Sequence, residues 1–110
     1  MSEDLGGGGY LRIIMESRDP SRNQARSYTI EAGADLFGDF VVSTTFGRIG
    51  SKGQTRRLAF ASPEAAIPTL RKILSQRLKI SHRRTVPYAI LSLRDPTDLM
   101  TGCPELSVAM

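Results

Sequence analysis

The spacing of apolar residues changes once along this chain, at Ser62-Pro63, and this change restricts the folds that it can adopt. Before that point, apolar and polar residues alternate in short runs separated by turn-forming residues, which is the pattern of β-strands. After it, five aliphatic residues follow at spacings of three and four, which places them on one face of an α-helix. They are Ile67, Leu70, Ile73, Leu74 and Leu78. The chain is therefore predicted to be an α+β domain, with one helix packed across an antiparallel sheet.

The alternating runs predict four consecutive strands joined by short loops, which favours an antiparallel meander over a parallel β-α-β order. The four strands are predicted at 10–15, 24–31, 40–46 and 54–61. The segment 18–23 between the first two is rich in turn formers and is predicted to be a loop. A further segment, 86–91, is a candidate for a fifth strand, in which Pro87 would suit a sheet edge.

The helix is predicted to begin at Pro63, with Ser62 as its N-cap, and to end near Lys79. Pro68 has no backbone N–H, so we expect a kink or a looser first turn there. The basic residues of this segment fall mainly off the apolar stripe: Arg71, Lys72 and Arg77.

The two ends of the chain differ in composition from its middle. Residues 1–9 contain a glycine run and are predicted to form a disordered leader, and residues 95–110 a loosely ordered tail, which leaves 10–94 as the folded domain. No segment approaches the roughly 18 apolar residues of a membrane helix, and the start lacks the features of a signal peptide. With Cys103 as its single cysteine, the chain is expected to be a cytoplasmic protein with no membrane association.

Positive charge is concentrated in the middle of the chain. The whole sequence has a formal net charge of +4, but the segment from Arg18 to Arg84 contains thirteen Lys/Arg and five Asp/Glu, a net charge of +8. A positive surface on the folded part would attract polyanions, of which nucleic acid is the commonest. The alternative is a solvated basic face that serves only solubility.

Four motifs occur in one order along the chain. They are Arg18-Asp19-Pro20-Ser21-Arg22-Asn23, then Leu36-Phe37-Gly38, then the segment from Phe46 to Gln54 that contains Gly47-Arg48-Ile49-Gly50, then the helix with its basic end. Together they resemble the WGR family, named for a Trp-Gly-Arg triplet followed by Ile-Gly, and the chain is similar to the short bacterial members that consist of little else. The resemblance covers residues 10–84. It implies an antiparallel sheet with a helix across one face and a non-enzymatic, nucleic-acid-binding role, because the module engages DNA ends in poly(ADP-ribose) polymerases.

The name-giving motif is altered in this chain, where Phe46 stands in place of the tryptophan that packs on nucleic-acid sugar or base in the family. A phenylalanine ring can still stack on a base, although it has less area and no indole N–H. The Gly-Tyr that usually ends the family's helix is also missing, and Ile80-Ser81-His82 stands there. These departures bear on the recognition of DNA ends more than on the fold.

The predicted nucleic-acid contacts surround this motif, with DNA preferred to RNA. They are Phe46, Gly47, Arg48, Lys52, Arg56 and Arg57. Phe46 would stack, and the Arg48 guanidinium would hold a phosphate with two hydrogen bonds. The glycines between 47 and 53 would let the backbone approach the ligand or form an anion nest, and the other cations would supply the electrostatic field.

Each of these assignments has a structural alternative. The glycines of 47–53 could serve only the geometry of a β-turn, and Phe46 could belong to the core or edge of its strand. Arg48 could form an ion pair with Asp35 or Asp39, and Arg22 could anchor its own loop. The same basic surface could also bind an acidic protein partner, which would make the chain an interaction adaptor.

No arrangement of residues in the sequence indicates an enzyme. His82 is the single histidine, and no Cys, Asp or Glu cluster with metal-ligand spacing accompanies it. The glycine-rich stretches do not match a phosphate-binding or dinucleotide-binding loop, because neither opens a helix directly. We therefore predict no catalytic residue, no metal and no cofactor, and the sequence assigns no oligomeric state.

Overall fold

Side chains alternate between a buried and a more exposed face along most of the strands, and the strands assemble into one sheet with a covered side. The computed structural model of the protein describes residues 11–78 and 88–95. Their elements are β1 (Leu11–Asp19), a 3-10 turn (Pro20–Arg22), β2 (Gln24–Ala34), β3 (Phe40–Arg48), β4 (Gln54–Phe60), α1 (Pro63–Leu78) and β5 (Ala89–Arg94). No helix in these ranges is long and apolar enough to cross a membrane.

The five strands are antiparallel and lie in the order β4-β3-β2-β1-β5, with α1 packed on one face. The first four are neighbours in the order in which they occur along the chain, as expected for a meander. The predicted α+β class, with its single helix across the sheet, is confirmed.

The bounds of all five strands differ from the prediction by at least one residue, and those of β1 and β5 differ most. β1 continues through Arg18 and Asp19, because the hairpin closes in a 3-10 turn and Asn23 takes the left-handed conformation with φ 54°. β5 begins at Ala89 and pairs with β1 at the sheet edge, three residues later than predicted. Pro87, the predicted leader at 1–9 and all of the predicted tail except Asp95 lie outside the described residues.

The hydrophobic core lies between α1 and the covered face of the sheet. From the helix, the side chains of Ala66, Leu70 and Leu74 are fully buried. The facing layer comes from alternate positions of three neighbouring strands. It includes Leu11, Ile13, Met15, Tyr28, Ile30, Ala32 and Val42. The apolar stripe predicted for the helix is therefore the face that packs on the sheet.

The N-terminus of α1 is closed by the side chain of the residue that the sequence indicates. Ser62 Oγ accepts a hydrogen bond of 3.2 Å from the backbone N–H of Ala65, which α1 cannot itself satisfy. We expect Ser62→Ala to lower the free energy of unfolding by about 0.5–2 kcal/mol, measured by urea denaturation. Ser62→Asp keeps an acceptor at this position and should retain the stability, so equal losses in both variants would contradict the cap.

Candidate nucleic-acid interface

An open cleft lies at the end of the sheet where α1 finishes. Its volume is about 480 Å³. We call it the aromatic cleft, and its lining residues come from β2, β3, the last turn of α1 and the residue before β5. They are Arg26, Tyr28, Phe46, Gly47, Arg48, Arg77 and Tyr88.

The aromatic part of the cleft is set by the pairing of two strands. Tyr28 of β2 lies directly opposite Phe46 of β3, so both side chains leave the sheet on the same face. Their rings are stacked, with centroids 5.7 Å apart and planes 18° apart. Tyr88 meets Tyr28 edge-on at 5.9 Å, which gives the cleft a third ring. Phe46 is only partly buried, so it packs against the core and still presents ring surface to the cleft.

Arg77, in the last turn of α1, lies over these rings. Its guanidinium carbon is 4.5 Å from the Tyr28 ring centroid and 5.9 Å from that of Tyr88, within the range of cation–π attraction. Its Nε is buried and has no hydrogen-bond partner among the described residues. The sequence pattern places Arg77 mainly off the apolar stripe of the helix, and in the structure its guanidinium group lies over aromatic rings of the cleft. The Arg77 guanidinium thus brings a positive charge to the rings that line the cleft.

Arg48 is exposed and is oriented by the turn between β1 and β2. Its Nη1 donates to the Asn23 carbonyl at 3.1 Å, and its Nη2 lies 3.4 Å from Asn23 Oδ1. The ion pair considered with Asp35 or Asp39 does not form, because those residues lie at the opposite end of β3. Arg48 is therefore positioned by neutral acceptors, and its side chain is exposed to solvent.

The loop anchor considered for Arg22 is present, since its Nε lies 3.8 Å from Asp19 Oδ2. Both side chains belong to the tight connection that ends in Asn23, the residue that orients Arg48. An exposed pair of this kind contributes little stability. Neither Arg22 nor Asp19 lines the cleft.

The glycines at the end of β3 and in the connection to β4 have a packing role. A Cβ on Gly53 would lie 2.5 Å from the Phe46 carbonyl oxygen, and one on Gly47 would lie 2.7 Å from Gly53 Cα. Gly53 and Gly50 also have φ values of +71° and +94°, which side chains disfavour. The turn geometry considered for these glycines is thus observed, and it holds the backbone of Phe46 and Gly47 in place beside the cleft.

The two neighbouring arginines of β4 lie on opposite faces of the sheet. Arg56 is paired with Thr44 on the helix side, and its guanidinium carbon lies 5.6 Å from the Phe46 ring centroid. Arg57 is paired with Ser43 and therefore faces the other side. Of the predicted contacts, the cleft brings together Phe46, Gly47 and Arg48, with Arg56 beside them. Lys52 lies in the exposed adjoining turn, and Arg57 is not brought to the cleft.

Sequence analysis missed four of the lining residues: Arg26, Tyr28, Arg77 and Tyr88. Arg26 and Tyr28 could have been predicted to lie on one face of the sheet, because they are two positions apart in one strand. Arg77 and Tyr88 carried no such signal. The Tyr88 N–H donates to the Arg77 carbonyl at 3.0 Å, and this contact depends on how the chain returns after α1.

Among residues 11–78 and 88–95, no group of three or more His, Cys, Asp or Glu is placed to hold a metal ion. His82, the histidine considered in the sequence for metal binding or catalysis, lies outside those ranges. The chemistry of the cleft is that of rings and guanidinium groups.

Two comparisons with known proteins match more than half of this chain. The family model described as the WGR domain matches residues 11–86, which contain all of the cleft residues up to Arg77. The uncharacterized protein y4dW of Sinorhizobium fredii (strain NBRC 101917 / NGR234) is 39% identical over 72 residues, which are 66% of this chain and 35% of the relative. The chain thus spans about a third of the length of that relative.

Proposed function

Because this chain belongs to the WGR domain family, we propose that it is a non-enzymatic module that binds nucleic acid in the aromatic cleft. WGR domains are known as a family of nucleic-acid-binding modules without catalytic function. We expect DNA to be bound in preference to RNA, since the polymerase members that the motifs resemble engage DNA ends.

The observation that carries the proposal is the composition of the cleft. Arg26, Arg48 and Arg77 line the cleft together with three aromatic rings, and none of the described residues that line it is acidic. Guanidinium groups match phosphate in geometry and charge, and ring faces match bases or sugars. This pairing of features is the one that single-stranded or end-exposed nucleic acid requires.

The arrangement favours binding without sequence preference. Every base has a π-face, so contact with Phe46 would not select one base over another. The phosphate contacts of Arg48 and Arg26 carry no base information, and their release of counterions makes the affinity fall as salt rises. We therefore expect similar affinities for unrelated sequences and a steep dependence on salt concentration.

The two arginines of β4 give a matched test of which surface binds. We expect Arg56→Ala to weaken binding about fivefold and to reduce the salt slope by about one, because a cation beside Phe46 is lost. Arg57→Ala removes the same charge from the adjacent residue on the opposite face and should change the affinity less than about twofold. Fluorescence anisotropy with labelled single-stranded, blunt and nicked DNA at two salt concentrations measures both effects.

Equal weakening by the two substitutions would show a diffuse electrostatic attraction and would contradict binding in the cleft. Absence of binding to any of the DNA forms would contradict the function itself. An acidic protein would then be the partner to seek, by a pull-down after nuclease treatment that recovers one protein in stoichiometric amount.

A further inference from the structure

The tip of the β2–β3 hairpin carries two large apolar side chains in solvent. Leu36 is 91% exposed and Phe37 is 88% exposed. They belong to the Leu36-Phe37-Gly38 motif, which neither the core nor the aromatic cleft uses. Adjacent exposed apolar residues of this size are typical of a contact with another molecule.

The tip is held in one conformation by its own hydrogen bonds. Asp35 Oδ1 accepts from the backbone N–H of Phe37 at 2.8 Å and from that of Asp39 at 3.0 Å. The Asp35 N–H in turn donates to the Asp39 carbonyl at 2.9 Å. Leu36 and Phe37 are therefore presented on an ordered loop, so little conformational entropy is lost when a partner binds them.

The charges at the two ends of β3 are opposite in sign. The tip carries the carboxylates of Asp35 and Asp39, with the two apolar side chains between them. The aromatic cleft lies at the other end of the strand, about 26 Å away for nine residues, and carries Arg26 and Arg48. The acidic apolar end of one molecule thus complements the basic aromatic end of another.

We propose that the tip of one copy of this chain docks into the aromatic cleft of a second copy. Phe37 would pack on the rings of the cleft, and Asp39 would lie near Arg26 and Arg48 of the receiving copy. The cleft, at about 480 Å³, is in the size range that accepts a compact apolar group with a few polar contacts. Insertion of the tip into a nucleic acid is disfavoured, because Asp35 and Asp39 would face phosphates.

The two contact surfaces lie at opposite ends of the molecule, so the contact joins unlike surfaces. Such a contact does not close into a two-fold dimer and instead lets further copies add in one direction. Each docked tip also fills a cleft. Where the proposed function holds, the second copy and the nucleic acid therefore compete for the same site.

Complementation between two variants of the full chain tests this proposal. Phe37→Ser removes the aromatic side chain of the tip and leaves the cleft unchanged. Arg26→Glu reverses a charge in the cleft and leaves the tip unchanged. By sedimentation velocity without nucleic acid, the average mass of the wild type should rise with concentration past that of two chains, while each variant alone stays monomeric. An equimolar mixture of the variants should form a species of two chains and nothing larger, since it has one working tip and one working cleft per pair.

A wild type that stays monomeric, or that stops at a closed dimer, overturns the proposal, and so does a mixture that does not associate. A loss of DNA affinity in Phe37→Ser with no change in mass would assign the tip to nucleic acid instead, and would also overturn it. If circular dichroism shows that either of these variants is unfolded, Leu36→Ser and Arg48→Glu replace them as a second pair. Because the mass is measured without DNA, its outcome is independent of the proposed function.

Discussion

Replacing Leu74 by alanine is expected to lower the free energy of unfolding by about 2–5 kcal/mol. Leu74 is fully buried between α1 and the sheet, so its removal loses apolar burial and leaves a cavity. A domain of this size has a total stability of about 5–15 kcal/mol, so the loss is a large fraction of it. Urea denaturation should show a lower midpoint with an unchanged slope.

Lys72→Ala is the control for this prediction, because Lys72 lies on the same helix with an exposed side chain. We expect it to change the stability by less than about 0.5 kcal/mol. If Leu74→Ala were no more costly than Lys72→Ala, α1 would not be packed on the sheet. Arg77 would then no longer line the aromatic cleft.

Phe46→Leu is expected to weaken DNA binding by about 1–3 kcal/mol, which is roughly 5- to 150-fold. Leucine keeps an apolar side chain against the core but removes the ring that stacks on Tyr28 and faces the cleft. It also removes the cation–π partner of Arg56, so the electrostatic rim is less well ordered. Fluorescence anisotropy at a fixed low salt concentration measures the change.

Phe46→Tyr and Phe46→Trp are the controls for Phe46→Leu, because both retain an aromatic ring at this position. Both keep a π-face, and tryptophan adds stacking area and an N–H donor, so we expect the affinity to be retained or increased. The thermal midpoint of each variant shows whether the core contact is intact. Affinity that stays at the wild-type level in Phe46→Leu, with the fold preserved, would contradict a stacking role for this residue.

The fold followed from the sequence because each element carries a local signal. Alternation marks the first four strands, and the spacing of Leu70 and Leu74 marks the helix. The start of β5 was misplaced because 86–93 is a nearly continuous apolar run, in which alternation sets no boundary. Its position is decided by pairing with β1, including a register shift between Ile14 and Met15, and this is a tertiary effect.

Only part of the candidate site could be predicted from the sequence, because part of it also depends on tertiary contacts. Phe46, Gly47 and Arg48 are consecutive and form a motif, whereas their cleft partners come from other elements. The pairing of Tyr28 with Phe46 follows once the register of β2 and β3 is known, and the same reasoning separates Arg56 from Arg57. Arg77 could not be assigned in advance, because the contact with Tyr28 depends on the angle at which α1 crosses the sheet.

The cleft is assembled from four segments that are far apart in sequence, including the last turn of α1 and the residue before β5. An unfolded chain, or one in which that turn has frayed, has no such surface. Occupancy and conformational stability are therefore linked by mass action, and a ligand present at 100 times its Kd would add about 2.7 kcal/mol to the folded state. Whatever fills this cleft also acts as a clamp that holds the helix end to the sheet.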